Sequence, residues 1–176
     1  MNERVYLGID VGKKGFLALN KGDNDFEFYS IEDNDAYKLG DIMSDIKLRY
    51  PNVVCVIEQV HALYGSSASS TFQFGETNGL LKGLLIANKI SYHLVQPKAW
   101  QKEMWDNKDV VFEYTTISKK DGEHRIKKVA TKATSTNAAK RIFPMIDFRR
   151  TERCKNLDDN KIDATLLSEY GRRKNL

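Results

Sequence analysis

The apolar positions of this chain alternate between short continuous runs and helical stripes. Val5–Val11 (VYLGIDV) is a run with the length of a buried strand. Gly15–Asn20 and Phe26–Ser30 follow as further strand-like runs, and Gly22-Asp23-Asn24-Asp25 between them has the composition of a tight turn. Together they predict an antiparallel meander. From Ala36 to about Tyr50, the residues Leu39, Ile42, Met43, Ile46 and Leu48 recur mostly at helical spacing, and Pro51 stands just past the end. Val53–Ile57 (VVCVI) is too apolar to alternate, which predicts a central strand covered on both faces.

Tyr64–Ser70 reads as a polar loop leading into a helix from about Thr71 to Asn88, and Ser91–Val95 as a short strand. Pro97 opens a helix carrying Trp100, Met104 and Trp105, both tryptophans reading as core. Val110–Ser118 and His124–Val129 flank an Asp121-Gly122 pair that predicts a hairpin. Asn137–Phe143 reads as a helix capped within Thr134–Thr136 and stopped by Pro144, and the last helix spans about Leu157 to Arg172. This order of elements implies an α/β domain with a mixed sheet.

Composition narrows the class. The 176 residues hold three prolines and show no linker and no internal repeat, so one domain spanning 1–176 is expected. No run approaches a bilayer span and the N-terminus lacks a signal-peptide pattern. Cys55 and Cys154 read as buried thiols of a reducing, cytoplasmic compartment. Charge is uneven: residues 1–88 carry 8 Lys/Arg against 12 Asp/Glu, and residues 89–176 carry 20 against 12. An acidic half joined to a basic one fits a nucleic-acid enzyme whose carboxylates bind metal, and equally a solvated surface with chance asymmetry.

Four carboxylates are the candidate chemistry. Asp10 lies within the apolar first run, where a charge is costly unless a partner or metal compensates it. Glu58 ends the most apolar run. Asp159 and Asp163 are four apart on the last predicted helix, hence on one face with Cβ atoms about 5–6 Å apart. Each also has a structural reading: Asp10 as a turn cap, Glu58 as a solvated strand end, Asp159 and Asp163 as acids favoured by a helix N-terminus, and Asp158 as an N-cap. An all-oxygen set selects Mg²⁺ or Mn²⁺ over zinc. Four carboxylates around phosphodiester chemistry suggest two ions about 3.5–4 Å apart.

GIDVG at 8–12, VIEQV at 56–60 and DDNKIDATLLSEYG at 158–171 resemble the RuvC class of Holliday-junction resolvases, phage-type members above all. Phe74-Gly75, Gly79-Leu80-Leu81-Lys82-Gly83 and Gln96-Pro97-Lys98 are similar as well. The resemblance implies an RNase H-like fold, a mixed five-stranded sheet flanked by helices, with the predicted hairpin as an extra basic element. It implies a Mg²⁺-dependent endodeoxyribonuclease that resolves branched DNA, with two ions per site and Mn²⁺ able to substitute. The matching ligands are Asp10, Glu58 and Asp163. For the fourth, Asn160 stands where the bacterial pattern has Asp, and Asp159 matches the phage-like spacing, with Asp158 as fallback. The resemblance further implies a homodimer on four-way junctions, without nucleotide cofactor or membrane, in a host cytoplasm if phage-encoded.

Outside the acids, Tyr64 sits in the loop that in this family probes the crossover, as a base-stacking residue or a surface tyrosine. Lys119, Lys120, Arg125, Lys127 and Lys128 make the hairpin basic, a DNA-contacting arm or a surface decoration. Lys98, Lys132, Arg149, Arg150 and Arg153 are further phosphate-contact candidates, each weak by itself. Gly75, Gly79 and Gly83 give a smooth helix face, expected in the core or a dimer seam. A Walker loop and a dinucleotide fingerprint are both missing. GIDVG also opens actin-like ATPases, but these need a second large domain. The alternatives kept open are a branched-DNA-binding module without catalysis and a nuclease acting on RNA–DNA hybrids.

Overall fold

The computed structural model describes residues 4–59, 67–119 and 122–176, with only the backbone given at 117–119 and 122–124. Strands β1 (Tyr6–Asp10), β2 (Phe16–Asn20) and β3 (Phe26–Ser30) form the meander, turned at Gly22 (φ 92°) through a 2.7 Å hydrogen bond from the Asp25 amide to the Gly22 carbonyl. Helix α1 (Ala36–Arg49) is N-capped by Asp35, whose carboxylate accepts from the Lys38 amide. Then come β4 (Val54–Glu58), α2 (Ala68–Ala87), β5 (Ser91–Val95) and α3 (Pro97–Met104). The hairpin β6 (Phe112–Lys119) and β7 (Gly122–Val129) precedes α4 (Thr131–Ile142) and α5 (Asp159–Lys174). The main sheet has the order β3-β2-β1-β4-β5, antiparallel within the meander and parallel across β1, β4 and β5.

Strand alternation sorts the core onto two sides. Leu7 and Ile9 of β1 and Cys55 and Ile57 of β4 face α1 and α2, where they pack with Leu39, Met43, Ile46, Leu81 and Leu85. Val56 of β4 faces the other side, against Ile162, Leu166 and Leu167 of α5 and Trp100 and Met104 of α3. This layering explains why Val53–Ile57 shows no polar alternation. Helix α5 lies so close over β1 that a Cβ on Gly8 would sit 2.0 Å from the Ala164 carbonyl oxygen and 2.5 Å from the Ser168 nitrogen. Glycine at position 8 is what lets helix and strand meet backbone to backbone.

Several expectations need correction. Helix α4 begins at Thr131, not Asn137. Thr134 is buried inside it, its hydroxyl accepting from the Val111 amide, and the N-cap position, Ala130, makes no side-chain hydrogen bond. Tertiary demand for that hydroxyl competes with local capping and wins. Helix α2 starts three residues earlier than the pattern suggests, capped by Ser67. Among the described residues a Cβ on Gly75, Gly79 or Gly83 would meet open space, so they are not core, which leaves the dimer-seam alternative. Trp105 lies just past α3 and is only partly buried, and Cys154 is likewise part-exposed while Cys55 is fully buried. Among the described residues no helix is long and apolar enough to cross a membrane.

Candidate active site

The acids gather because of strand parity and the seat of α5. Asp10 is two residues beyond Gly8 and therefore on the α5 side of β1. Glu58 is two beyond Val56 and on the same side of β4. The parallel register pairs Ile9 with Ile57, which brings Asp10 and Glu58 level at the carboxyl ends of neighbouring strands. Asp163 directly precedes Ala164, the residue lying on Gly8, so the helix delivers its carboxylate to the same place.

Electrostatics show the crowding. Burial raises Asp10 far above the ordinary carboxylate range, with the charges of Asp163, Glu58 and Asp158 adding to the effect. Burial lifts Asp163 to about 7, against a lowering hydrogen bond from Ser135, with Glu58 and Asp159 raising it further. Glu58 is raised by burial and partly restored by the Trp100 indole, whose Nε1 donates to Oε1 at 2.8 Å. Asp163 Oδ1 is buried and, among the described residues, accepts no hydrogen bond. The cost of such a site falls if a cation neutralises it. The hard-oxygen donors and the orphaned Oδ1 therefore fit Mg²⁺ or Mn²⁺. Among the described residues, no three such side chains are yet grouped closely enough to hold one ion.

The two remaining acids have protein partners. Asp159, the first residue of α5, pairs with Lys132 Nζ at 3.0 Å, an exposed and hence weak ion pair. Asp158 caps α5 through the amides of Asn160 and Lys161, and its Oδ2 accepts from Arg150 Nε at 2.7 Å. Arg150 also reaches Ser30, Glu32 and the Lys14 carbonyl and covers the Phe16 ring. It is thus a structural clasp rather than an open phosphate contact. Arg149 is likewise held by Asp147, while Arg153 is exposed.

Of the expected DNA contacts, Lys98 is exposed on the first turn of α3 and Lys132 on the first turn of α4. Arg125, Lys127 and Lys128 are exposed on β7. Tyr64, Lys120 and the side chain of Lys119 lie outside the described residues. Sequence reasoning missed Trp100, Ser135 and Arg150 as partners of the acids. A tryptophan four residues into a predicted helix carries no local sign that its indole reaches a glutamate 42 positions earlier.

A β3-β2-β1-β4-β5 sheet with this helical cover places the chain in the α/β class with an RNase H-like fold. Within that class the fold is that of RuvC. A structure of Thermus thermophilus RuvC bound to a Holliday junction substrate superposes with a TM-score of 0.56 at 11% identity, covering 98% of this chain and 97% of that one. A second T. thermophilus RuvC structure gives 0.51 at 15% identity, covering 97% and 96%. No protein-family model matches the sequence, and no curated protein matches it.

Proposed function

We propose that the chain is a metal-dependent endonuclease that cuts branched DNA, four-way junctions among its substrates. The observation that carries this reading is the convergence of Asp10, Glu58 and Asp163 within electrostatic reach at the carboxyl ends of β1 and β4, with Asp163 Oδ1 lacking a donor among the described residues. The RuvC fold, one representative of which is described with a Holliday junction substrate, supports it.

Asp10, Glu58 and Asp163 would hold Mg²⁺, with Asp159 as the fourth carboxylate, two ions per site and Mn²⁺ able to substitute. Bound there, the metal would polarise the scissile phosphate and lower the pKa of an attacking water. The protein's own part is positional. Trp100 fixes the rotamer of Glu58, Ser135 orients Asp163, and the Arg150–Asp158 clasp holds the start of α5. Lys132 lies within electrostatic reach of Asp10 and Asp163, which it lowers, and is placed to meet the phosphate that the acids would otherwise repel. A homodimer would bring two such sites to opposite arms of one junction.

The test is cleavage of an end-labelled synthetic four-way junction with Mg²⁺, beside linear duplex and an RNA–DNA hybrid. Paired nicks on opposing arms, lost with EDTA and with Asp10→Asn, are expected. Tight junction binding without cleavage would leave a binding module, and preferential cutting of the hybrid would make the chain an RNase H.

A further inference from the structure

The β6–β7 hairpin sorts its side chains by face. Register sets Tyr114 opposite Lys127 and Thr116 opposite Arg125, with Phe112 opposite Val129. Directly opposed residues of an antiparallel pair share a face. That face therefore combines Phe112, Tyr114, Arg125 and Lys127, with Glu123 at the next register position of the same face toward the turn. The Glu113–Lys128 ion pair lies on the other face. Diagonal contacts stack the first face into a row, with Lys127 Nζ 3.7 Å from the Phe112 ring centroid and the Arg125 guanidinium 4.2 Å from that of Tyr114.

Both rings remain in water, Phe112 49% and Tyr114 55% exposed. Among the described residues the two strands make their contacts chiefly with each other. The root, by contrast, is fixed. Ala130 donates to the Val111 carbonyl at 2.8 Å, Val111 donates to Thr134, and the buried Asp109 is gripped by Arg141 at 2.6 Å. Only Ala130 separates the hairpin from helix α4, whose second residue, Lys132, pairs with Asp159 of the acid cluster. The face is tied through its root and α4 to the rim of the candidate site.

We propose that this face is a platform for unpaired DNA, on which bases stack against Phe112 and Tyr114 while Arg125 and Lys127 take the adjoining phosphates. The proposal rests on the reading of the chain as a branched-DNA nuclease and adds a single-stranded stretch as the ligand of the arm. A cation on an exposed ring is weakly held, whereas a base stacks strongly on an aromatic face. Binding then exchanges one for the other, the base taking the ring and the cation moving to the phosphate beside it. Spacing selects the form of DNA. The two rings are two strand residues apart, about 7 Å, whereas bases in duplex DNA follow one another at about 3.4 Å along each strand. Neighbouring bases can occupy both rings only when unstacked from each other.

The test uses the full chain and fluorescence anisotropy of labelled oligo(dT), blunt duplex and oligo(rU). Phe112→Ala with Tyr114→Ala should weaken oligo(dT) binding about thirtyfold or more, while leaving its salt slope and the duplex affinity nearly unchanged. Arg125→Gln with Lys127→Gln should flatten the oligo(dT) salt slope by about 0.7 per lost phosphate contact. Tyr114→Trp keeps a stacking ring, so it should bind normally and show indole quenching by the oligonucleotide. Wild-type oligo(dT) affinity in the double alanine variant, or an unquenched Trp at 114, would overturn the platform. Tighter binding of oligo(rU) than oligo(dT) would overturn its assignment to DNA. Junction cleavage sensitive to Asp10→Asn, with oligo(dT) binding indifferent to the rings, removes the platform and leaves the nuclease. Ring-dependent oligo(dT) binding without any cleavage does the reverse.

Discussion

Asp163 concentrates the conflict between stability and chemistry. Its carboxylate is buried near Glu58 and Asp159, with burial the largest force against ionisation and one oxygen without a donor among the described residues. A neutral isostere keeps the shape and drops the charge. Asp163→Asn should therefore stabilise the metal-free protein by about 1–2 kcal/mol while reducing cleavage to background. Mg²⁺ should raise the melting temperature of the parent and do so less for the variant. A variant that melts below the parent in EDTA would show that this carboxylate contributes to the fold instead.

At the scale of elements, the site depends on how closely α5 approaches β1. Gly8 is two residues before Asp10, and Ala164 is one after Asp163, so the same contact that buries the helix aligns the acids. The obstacle to a side chain at Gly8 is backbone, which cannot move aside as a flexible side chain could. Gly8→Ala should cost about 1–3 kcal/mol, measurable by urea denaturation, and should lower cleavage more than stability loss alone explains, because Asp163 is carried outward. Gly79→Ala, with open space around its Cβ, is the matched control and should leave folding of the chain intact.

Over the whole molecule two sets of carboxylates oppose each other in pH dependence. Glu27 is held down to about 2, first by the Arg49 guanidinium that ties β3 to α1 at 2.8 Å. Asp109 is lowered by Arg141, and in Glu169 the pull of Arg172 and Arg173 outweighs a burial that would raise it. These groups stabilise fully above the ordinary carboxylate range, and that stability is lost as pH falls through their lowered values. Asp163, raised to about 7, has the opposite sign: the folded state takes up its proton first, so stability grows as pH falls through about 7 toward 4. In EDTA the melting temperature should thus rise from about pH 8 to pH 5 and fall below about pH 4. Asp163→Asn should remove part of the rise, with Asp10 and Glu58, also raised by burial, keeping the remainder. Glu27→Gln should soften the acid-side fall by about 1 kcal/mol, given solvent screening of that pair. A profile that only falls on acidification would contradict the raised acids.

The order of elements and the two strand-end acids were legible in the chain by itself. Apolar runs, turn residues and helical spacing are local signals, and Asp10 and Glu58 stand out because a charge beside a buried strand has no local reason to be there. Asp163 was legible through its spacing from Asp159 on one helix face. Tertiary structure alone decided the rest, because those features are contacts between distant segments. Thr134 serves the hairpin root instead of capping a helix, and Trp100 spans 42 positions to reach Glu58. Gly75, Gly79 and Gly83 look like a packing stripe, yet α2 turns them away from the sheet. Gly8 looks like an ordinary strand glycine until α5 lies across it. Local pattern determines what each segment becomes, and only the packing of segments determines which side chains meet.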